Sequence, residues 1–476
     1  MNDSSAKRPV ERKLIAGEVF LSALAEHGVD FFFANPGTDF PPIVEAFSRS
    51  HERNVKLPRP VLVPHENLAV AMAHGAYAMN GRAQAVMVHV NVGTGNTVNN
   101  LINLSRDRIP LILAAGRTPI TKRGSFGSRS RQIHWGQEMF DQAAMVREIV
   151  KWDYELRMPG QVADVVARAH EVATTSPPGP VYLVLPREPL SAPVPDGPAS
   201  PPRPVSAPAH PDPAAIATLA QWIAEAERPL IVAAASGKPE AVEALARLAE
   251  HAAVPVVCHN ARQVCLPSSH PMHFGFDSGP YIAEADLIVV IESDAPWYPS
   301  MQTPAPGCRV VHIGEDPAFV RYPMRSFPSD LSITGSAGTV LGALEAAVAK
   351  HFGGDEARIA ARRKSLATRN EARRSRAEDQ AKAGGGKITV PHLSRMIGEA
   401  VGPDAIIFNE YPLSLDHCAR EKPGTFYGLS PAGGLGWGLG AALGAKLAAP
   451  EKFVVATLGD GAYMFGNPLE IGRAHV

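Results

Sequence analysis

A glutamate, Glu66, stands between His65 and Asn67, where a short apolar run ends and an unusually apolar helical stretch, residues 68–79, begins. A carboxylate in the first turn of a helix is most often only a favourable partner for the helix dipole. Behind a buried parallel strand, however, that position faces the crevice where open α/β sheets bind ligands. A second carboxylate, Asp460, lies between Gly459 and Gly461, directly after the apolar run 453–458. At a strand end it suits a hard cation such as Mg2+, which takes oxygen ligands from one or two carboxylates and from phosphate. The flanking glycines let the backbone turn tightly and approach a diphosphate, although an isolated Gly-Asp-Gly is more often a plain turn. The third feature is the run Gly433-Gly434-Leu435-Gly436-Trp437-Gly438-Leu439-Gly440. It predicts a tight turn followed by a small-residue helix over 441–448. It contains no clean G-x-G-x-x-G, which argues against a nicotinamide dehydrogenase.

The elements that must position these residues read as strands alternating with helices. Apolar runs at 31–37, 61–66, 85–91, 110–116 and 181–187 end in glycine, proline or polar residues, with helical stretches such as 17–27 and 67–79 between them. This pattern implies a parallel sheet covered on both faces. A stretch with nine prolines in 21 residues, 193–213, then favours a domain boundary. Runs at 230–235, 254–258, 287–291 and 310–313 repeat the pattern. A charged, Ala-rich stretch, 351–387, reads as a solvated helix and linker. A third region from Ile388 shows two clear strands, at 405–409 and 453–458. The expected fold class is α/β, with three doubly wound parallel-sheet domains, the third incomplete. The expected boundaries are 1–190, a Pro-rich linker 191–213, a central domain 214–350, a charged linker 351–387 and a partial C-terminal domain 388–470.

Composition excludes several partners. Lys plus Arg is 46 against Asp plus Glu at 47, a net charge of -1, so neither nucleic acid nor an anionic membrane is expected. The polar N-terminus lacks the apolar core of a signal peptide. The run 433–449 is too short, too glycine-rich and, with Lys446, too polar to span a membrane. Four cysteines without CxxC spacing suggest free thiols and a cytoplasmic location.

Taken together and in order, several motifs resemble one superfamily. They are Glu66 in a Pro-His-Glu context, Gly93-Thr94-Gly95-Asn96 after a strand, the Gly434-Leu435-Gly436 turn and the late Gly459-Asp460-Gly461. The superfamily is that of the thiamine diphosphate enzymes, including acetolactate synthase, benzoylformate decarboxylase and pyruvate decarboxylase, and the similarity runs from about Lys13 to Glu470. The resemblance implies three domains: pyrimidine-binding, central and diphosphate-binding. It implies that Glu66 bonds the cofactor's aminopyrimidine, favouring the tautomer that deprotonates the thiazolium. It further implies that Leu435 supports the bent cofactor and that Asp460 is the first Mg2+ ligand. Gly434, Gly459, Gly461, Asn409 and Glu410 join the cofactor-binding set. Thiamine diphosphate and Mg2+ are the implied cofactors and a 2-keto acid the implied substrate. A homodimer is the smallest implied assembly, with a homotetramer also expected.

Asn35-Pro36-Gly37-Thr38, His89, and Lys151-Trp152-Asp153-Tyr154-Glu155 resemble the benzoylformate decarboxylase branch. By that resemblance Thr38 and His89 face the substrate carboxylate or relay protons, and the activity is a C–C lyase. The segment 294–299 carries no histidine where that branch brings a second one. Gln137-Glu138 resembles the acetolactate synthase branch, whose members often carry FAD, but the arginine loop typical there is absent at 292–298. The alternatives are therefore a carboligase of that kind and a non-catalytic relative or fragment.

The family's metal motif continues about two dozen residues beyond Gly-Asp-Gly. Residues 471–476 read as the translation of a sequencing adapter. The sequence is therefore expected to be C-terminally truncated near Glu470, and the 476-residue chain is expected to bind cofactor weakly and to be inactive.

Overall fold

The computed structural model describes residues 13–53, 55–195, 206–351, 356–382, 387–411 and 413–466. The final residues read as an adapter, 471–476, and much of the Pro-rich linker lie outside them. The chain divides into two compact units. The first contains residues 1–205 with 434–436 and 464–476; the second contains 206–433 and 437–463.

The first unit holds six strands: β1 (Phe31–Ala34), β2 (Arg59–Leu62), β3 (Gln84–Val88), β4 (Leu111–Arg117), β5 (Asp153–Glu155) and β6 (Pro180–Pro186). Every pairing is parallel, in the order β2-β1-β3-β4-β6-β5. The interior strands β1, β3, β4 and β6 are almost entirely buried, as apolar runs covered by helices on both faces should be. β5 is a half-buried edge, and its three residues carry no apolar run by which the sequence could show it. The sheet order reverses between β1 and β3. Such a switch point opens a crevice at the carboxyl ends of the strands, because successive connections leave on opposite faces there.

The second unit repeats this arrangement twice. β7 (Pro229–Ala233), β8 (Val256–Val257), β9 (Leu287–Ile291), β10 (Arg309–Gly314) and β11 (Leu331–Thr334) form a parallel sheet ordered β11-β10-β9-β7-β8. Its core includes Leu230, Val232, Ile288, Val290 and Val311, all at most 2% exposed. Each such side chain contributes about 1.5–3 kcal/mol through burial. The third sheet, β13-β12-β14, contains β12 (Ile406–Asn409), β13 (Phe426–Gly428) and β14 (Val454–Thr457). The expectation of two clear strands in this region missed β13, a three-residue strand paired with β12. It also missed β11, where only Ile333 is buried. Both are too short or too exposed to leave an apolar signature.

The charged segment differs more from its reading as solvated linker. Helix Glu356–Gln380 packs Ile359, Leu366 and Asn370 inward. Its arginines donate to backbone carbonyls of the central domain: Arg362 to Ala226 (2.8 Å) and Ala252 (2.6 Å), and Arg374 to Ser269 and His270 (3.0 Å each). The charges therefore satisfy loop carbonyls at strand and helix ends, a role that charge patterning cannot distinguish from solvation.

Candidate active site

In the first unit, Glu66, Thr38 and His89 converge on the carboxyl edge of the sheet, at its switch point. Helix Glu66–Asn80 begins at Glu66, with His65 as N-cap; the His65 ring accepts from Asn67 N at 3.2 Å. The Glu66 carboxylate is 8% exposed. Its Oε2 accepts from Asn96 Nδ2 at 3.0 Å. A Cβ on Gly93 would lie 3.2 Å from Oε1, so the glycine keeps room for the carboxylate.

The second helix, Val90–Arg106, places Asn96, Asn99, Asn100 and Asn103 at three- and four-residue spacing, hence on one face. Asn100 N donates to Asn67 Oδ1 and Asn100 Nδ2 to Asn67 O, both at 3.0 Å. Asn103 Nδ2 donates to Asn100 Oδ1 (2.8 Å) and to Gly434 O (2.7 Å), while Gly434 N returns a bond to Asn103 Oδ1 (3.0 Å). Asn99 Nδ2 donates to Leu435 O at 2.7 Å. An amide ladder thus connects the Glu66 helix to the predicted Gly434-Leu435-Gly436 turn. A Cβ on Gly434 would come within 2.6 Å of Asn99 O, so no larger residue fits there. The Leu435 side chain is 37% exposed, free to meet a ligand. Four asparagines on one face of a helix were a signal available in the sequence, but residue type alone did not show which groups they bridge.

His89 is not a strand residue. It is the N-cap between β3 and helix Val90–Arg106, and the next residue, Val90, has φ +35°. That left-handed backbone is unfavourable for a β-branched residue. His89 Nδ1 lies 2.5 Å from Oδ1 of Asp39, a buried carboxylate in the loop after β1. Thr38 is held through its carbonyl, which accepts from Arg187 Nη1 at 3.0 Å. The adjoining cavity, lined by Thr38, Asp39, Arg117, His134, Gln137 and Arg187, measures only about 10 Å³. That is room for about one water and not for a keto acid. Burial, and then the charge of Arg187, pushes the His134 imidazole below its usual range. Under the site, Tyr182 is fully buried; its hydroxyl contacts Thr94 Oγ1 at 2.7 Å and accepts from Gln142 at 2.9 Å. Burial drives that phenol up to about 12.

In the second unit, Asn409 and Glu410 end β12 while Gly459 and Asp460 follow β14, the neighbouring strand across the switch point. Glu410 is 2% exposed, and its Oε2 accepts from Gly438 N at 2.6 Å, at the start of helix Trp437–Ala448. That helix begins four residues earlier than the sequence suggests, because Glu410 caps its first turn. Asn409 Oδ1 accepts from Thr457 Oγ1 (2.8 Å) and Leu413 N (3.2 Å), fixing the loop. Asp460 is the exposed first residue of the short helix Asp460–Phe465, and its Oδ1 accepts from Gly461 N at 2.8 Å. Cβ atoms on Gly459 and Gly461 would meet open space. A hard cation and a diphosphate fit this exposed carboxylate and bare backbone. Among the described residues no cluster of three or more His, Cys, Asp or Glu could hold a metal by itself. All four cysteines are free thiols. No described helix is long and apolar enough to cross a membrane.

Comparison with known proteins covers all three sheets. Residues 15–145 match the N-terminal TPP-binding domain of thiamine pyrophosphate enzymes, 216–344 the central domain, and 412–474 the C-terminal TPP-binding domain. A probable 2-ketoarginine decarboxylase of Pseudomonas aeruginosa is 28% identical over 96% of this chain and 78% of its own length. An acetolactate synthase of Mycobacterium bovis is 26% identical over 96% of this chain and 73% of its own. The structure of a thiamine diphosphate-dependent 4-hydroxybenzoylformate decarboxylase from Rhodococcus jostii superposes with a TM-score of 0.77 at 22% identity, covering 95% of this chain and 82% of that one.

Proposed function

Because the chain belongs to the thiamine pyrophosphate enzyme family, we propose that it acts with thiamine diphosphate and Mg2+ on a 2-keto acid, cleaving the bond beside the keto carbon as a decarboxylase. The observation that carries this reading is the desolvated Glu66 carboxylate, oriented by Asn96 at the head of a helix beside a sheet switch point. When bound, thiamine diphosphate supplies a carbon nucleophile and an electron sink. Glu66 would hold the aminopyrimidine through a hydrogen bond; out of water, that bond keeps its direction and strength. Leu435 would support the cofactor from an apolar surface, with Gly434 fixing its backbone. Asp460 would ligate Mg2+, and the open backbone at Gly459 and Gly461 would let a diphosphate approach. Asn409 and Glu410 would hold the strand end and helix start that shape this half. His89 would relay a proton through Nε2, and Thr38 would face the substrate. The enzyme would work in the cytoplasm as a homodimer or homotetramer.

A flavin is left out of this reading. At the switch point of the central sheet, Gly237 N already donates to Gln263 Oε1 at 2.8 Å, and Glu292 Oε1 accepts from Glu315 N at 2.7 Å. Arg262 pairs with the buried Asp294 at 2.9 Å.

The test is CO2 release from pyruvate, benzoylformate and 2-ketoarginine with both cofactors present. Release from at least one, abolished by Glu66→Gln, would support the decarboxylase and overturn the expectation that the 476-residue chain is inactive. Acetolactate formed from pyruvate would instead select the carboligase, a reading favoured by Gln137, whose amide lies 3.5 Å from His89 Nε2. Failure to bind thiamine diphosphate in calorimetry would select the non-catalytic relative.

A further inference from the structure

We infer that Asp39 is a positioning residue for His89: it fixes which ring nitrogen of that histidine carries a proton and keeps the ring in place when it becomes charged. The inference rests on the keto-acid reading for its purpose, but not for its geometry.

Asp39 follows Thr38 in the loop after β1, and His89 immediately follows β3, so the two face each other across the switch point of the sheet. The carboxylate is 4% exposed. Its Oδ1 meets His89 Nδ1 at 2.5 Å and its Oδ2 accepts from Val90 N at 3.4 Å. With an ionised Asp39, which only accepts, Nδ1 must be the donor. Nε2 is thereby left as the nitrogen that takes up and releases a proton. This atom faces away from Asp39 and towards Gln137.

Three backbone features serve this contact. A Cβ on Gly37 would lie 2.2 Å from His89 Nδ1, and one on Gly116 would lie 1.9 Å from Asp39 Oδ2. Neither position tolerates any side chain while the pair is formed. Val90, in the left-handed region at φ +35°, turns its N–H towards the same carboxylate. Two side-chain-free positions and one strained residue converging on a single carboxylate–imidazole hydrogen bond indicate a site where geometry is held against local cost. No covalent change is involved. A proton arriving at Nε2 makes the ring an imidazolium, beside which the Asp39 carboxylate is placed.

The experiment uses the full chain with 15N-labelled histidine. In the unsubstituted protein, His89 should show a protonated Nδ1 and an unprotonated Nε2 in its neutral form. In Asp39→Asn that signature should give way to a mixture of tautomers. With the cofactors and the preferred keto acid, kcat should fall about 100-fold, as expected for a misoriented acid–base group, while KM changes less than about threefold. Gly116→Ala should give the same split by displacing the carboxylate without removing its charge. If Asp39→Asn fails to fold, as judged by circular dichroism, the alanine variant carries the test. An unchanged His89 signature in whichever variant folds overturns the inference. An altered signature in a protein whose unsubstituted form turns over no keto acid keeps the Asp39–His89 couple and overturns the reading it serves.

Discussion

Glu66 and Asp460 are each the first residue of a helix, each just beyond the carboxyl end of a parallel strand, yet their surroundings are opposite. Glu66 is buried, bonded to Asn96, and tied through Asn67, Asn100 and Asn103 to the Gly434 turn. Asp460 is exposed and accepts from the backbone of its own neighbour, Gly461. A buried carboxylate must have its partners supplied by the fold, because the cost of leaving it unpaired falls on folding itself. An exposed carboxylate has water as partner and can exchange that water for a cation. The fold has therefore organised one carboxylate in advance and left the other open to solvent, as the proposed Mg2+ ligand would need to be.

The sharpest way to break this contrast is Glu66→Gln. The amide can still bond Asn96, so stability should change by less than about 1 kcal/mol. Turnover should fall by about 10³-fold, within the range for loss of an acid–base group. A variant that keeps full turnover would remove Glu66 from the mechanism. Asn103→Ala strikes the ladder instead. It strips partners from Gly434 N, Gly434 O and Asn100 Oδ1, and should cost about 2–3 kcal/mol in urea unfolding. A loss below about 0.5 kcal/mol would show that water replaces the ladder.

A pH titration tests the same difference more gently. Burial holds His74, on the Glu66 helix, down to about 3, against a usual value of 6.5. The folded ring stays neutral while the unfolded ring takes a proton. Its contribution is therefore complete above pH 6.5 and falls as pH drops towards 3. The loss should be up to about 2 kcal/mol at pH 5. Replacement by glutamine should flatten that part of the stability profile, and an unchanged profile would show that the ring is open to water. The smallest effect is expected at Asp460→Ala. Stability should move by less than about 0.5 kcal/mol, as for most exposed positions, while Mg2+-dependent affinity for thiamine diphosphate falls. A large destabilisation would mean that Asp460 is structural after all.

Much of the site was legible in the sequence because its elements announce themselves locally. Glu66 lies between an apolar run and an apolar helix, and Gly434 to Gly436 and Gly459 to Gly461 mark turns by residue type. The interior strands β3, β4, β6 and β9 are continuous apolar runs, since both faces of a parallel sheet are covered. β5, β11 and β13 escaped notice because short or half-buried strands need no such run. The arginines of helix Glu356–Gln380 looked like solvated charge because their carbonyl partners are more than 100 residues away.

Residue types and local spacing by themselves determined the α/β class, the alternation of strands and helices, and the position of two carboxylates at helix starts that follow strands. Only the tertiary structure decided the strand order, and with it the switch points that bring Asp39 beside His89 and Glu410 beneath helix Trp437–Ala448. These contacts join residues 28 to 50 positions apart. Their energy comes from burying paired polar groups, and burial is a property of the packed sheet that no local stretch of chain contains.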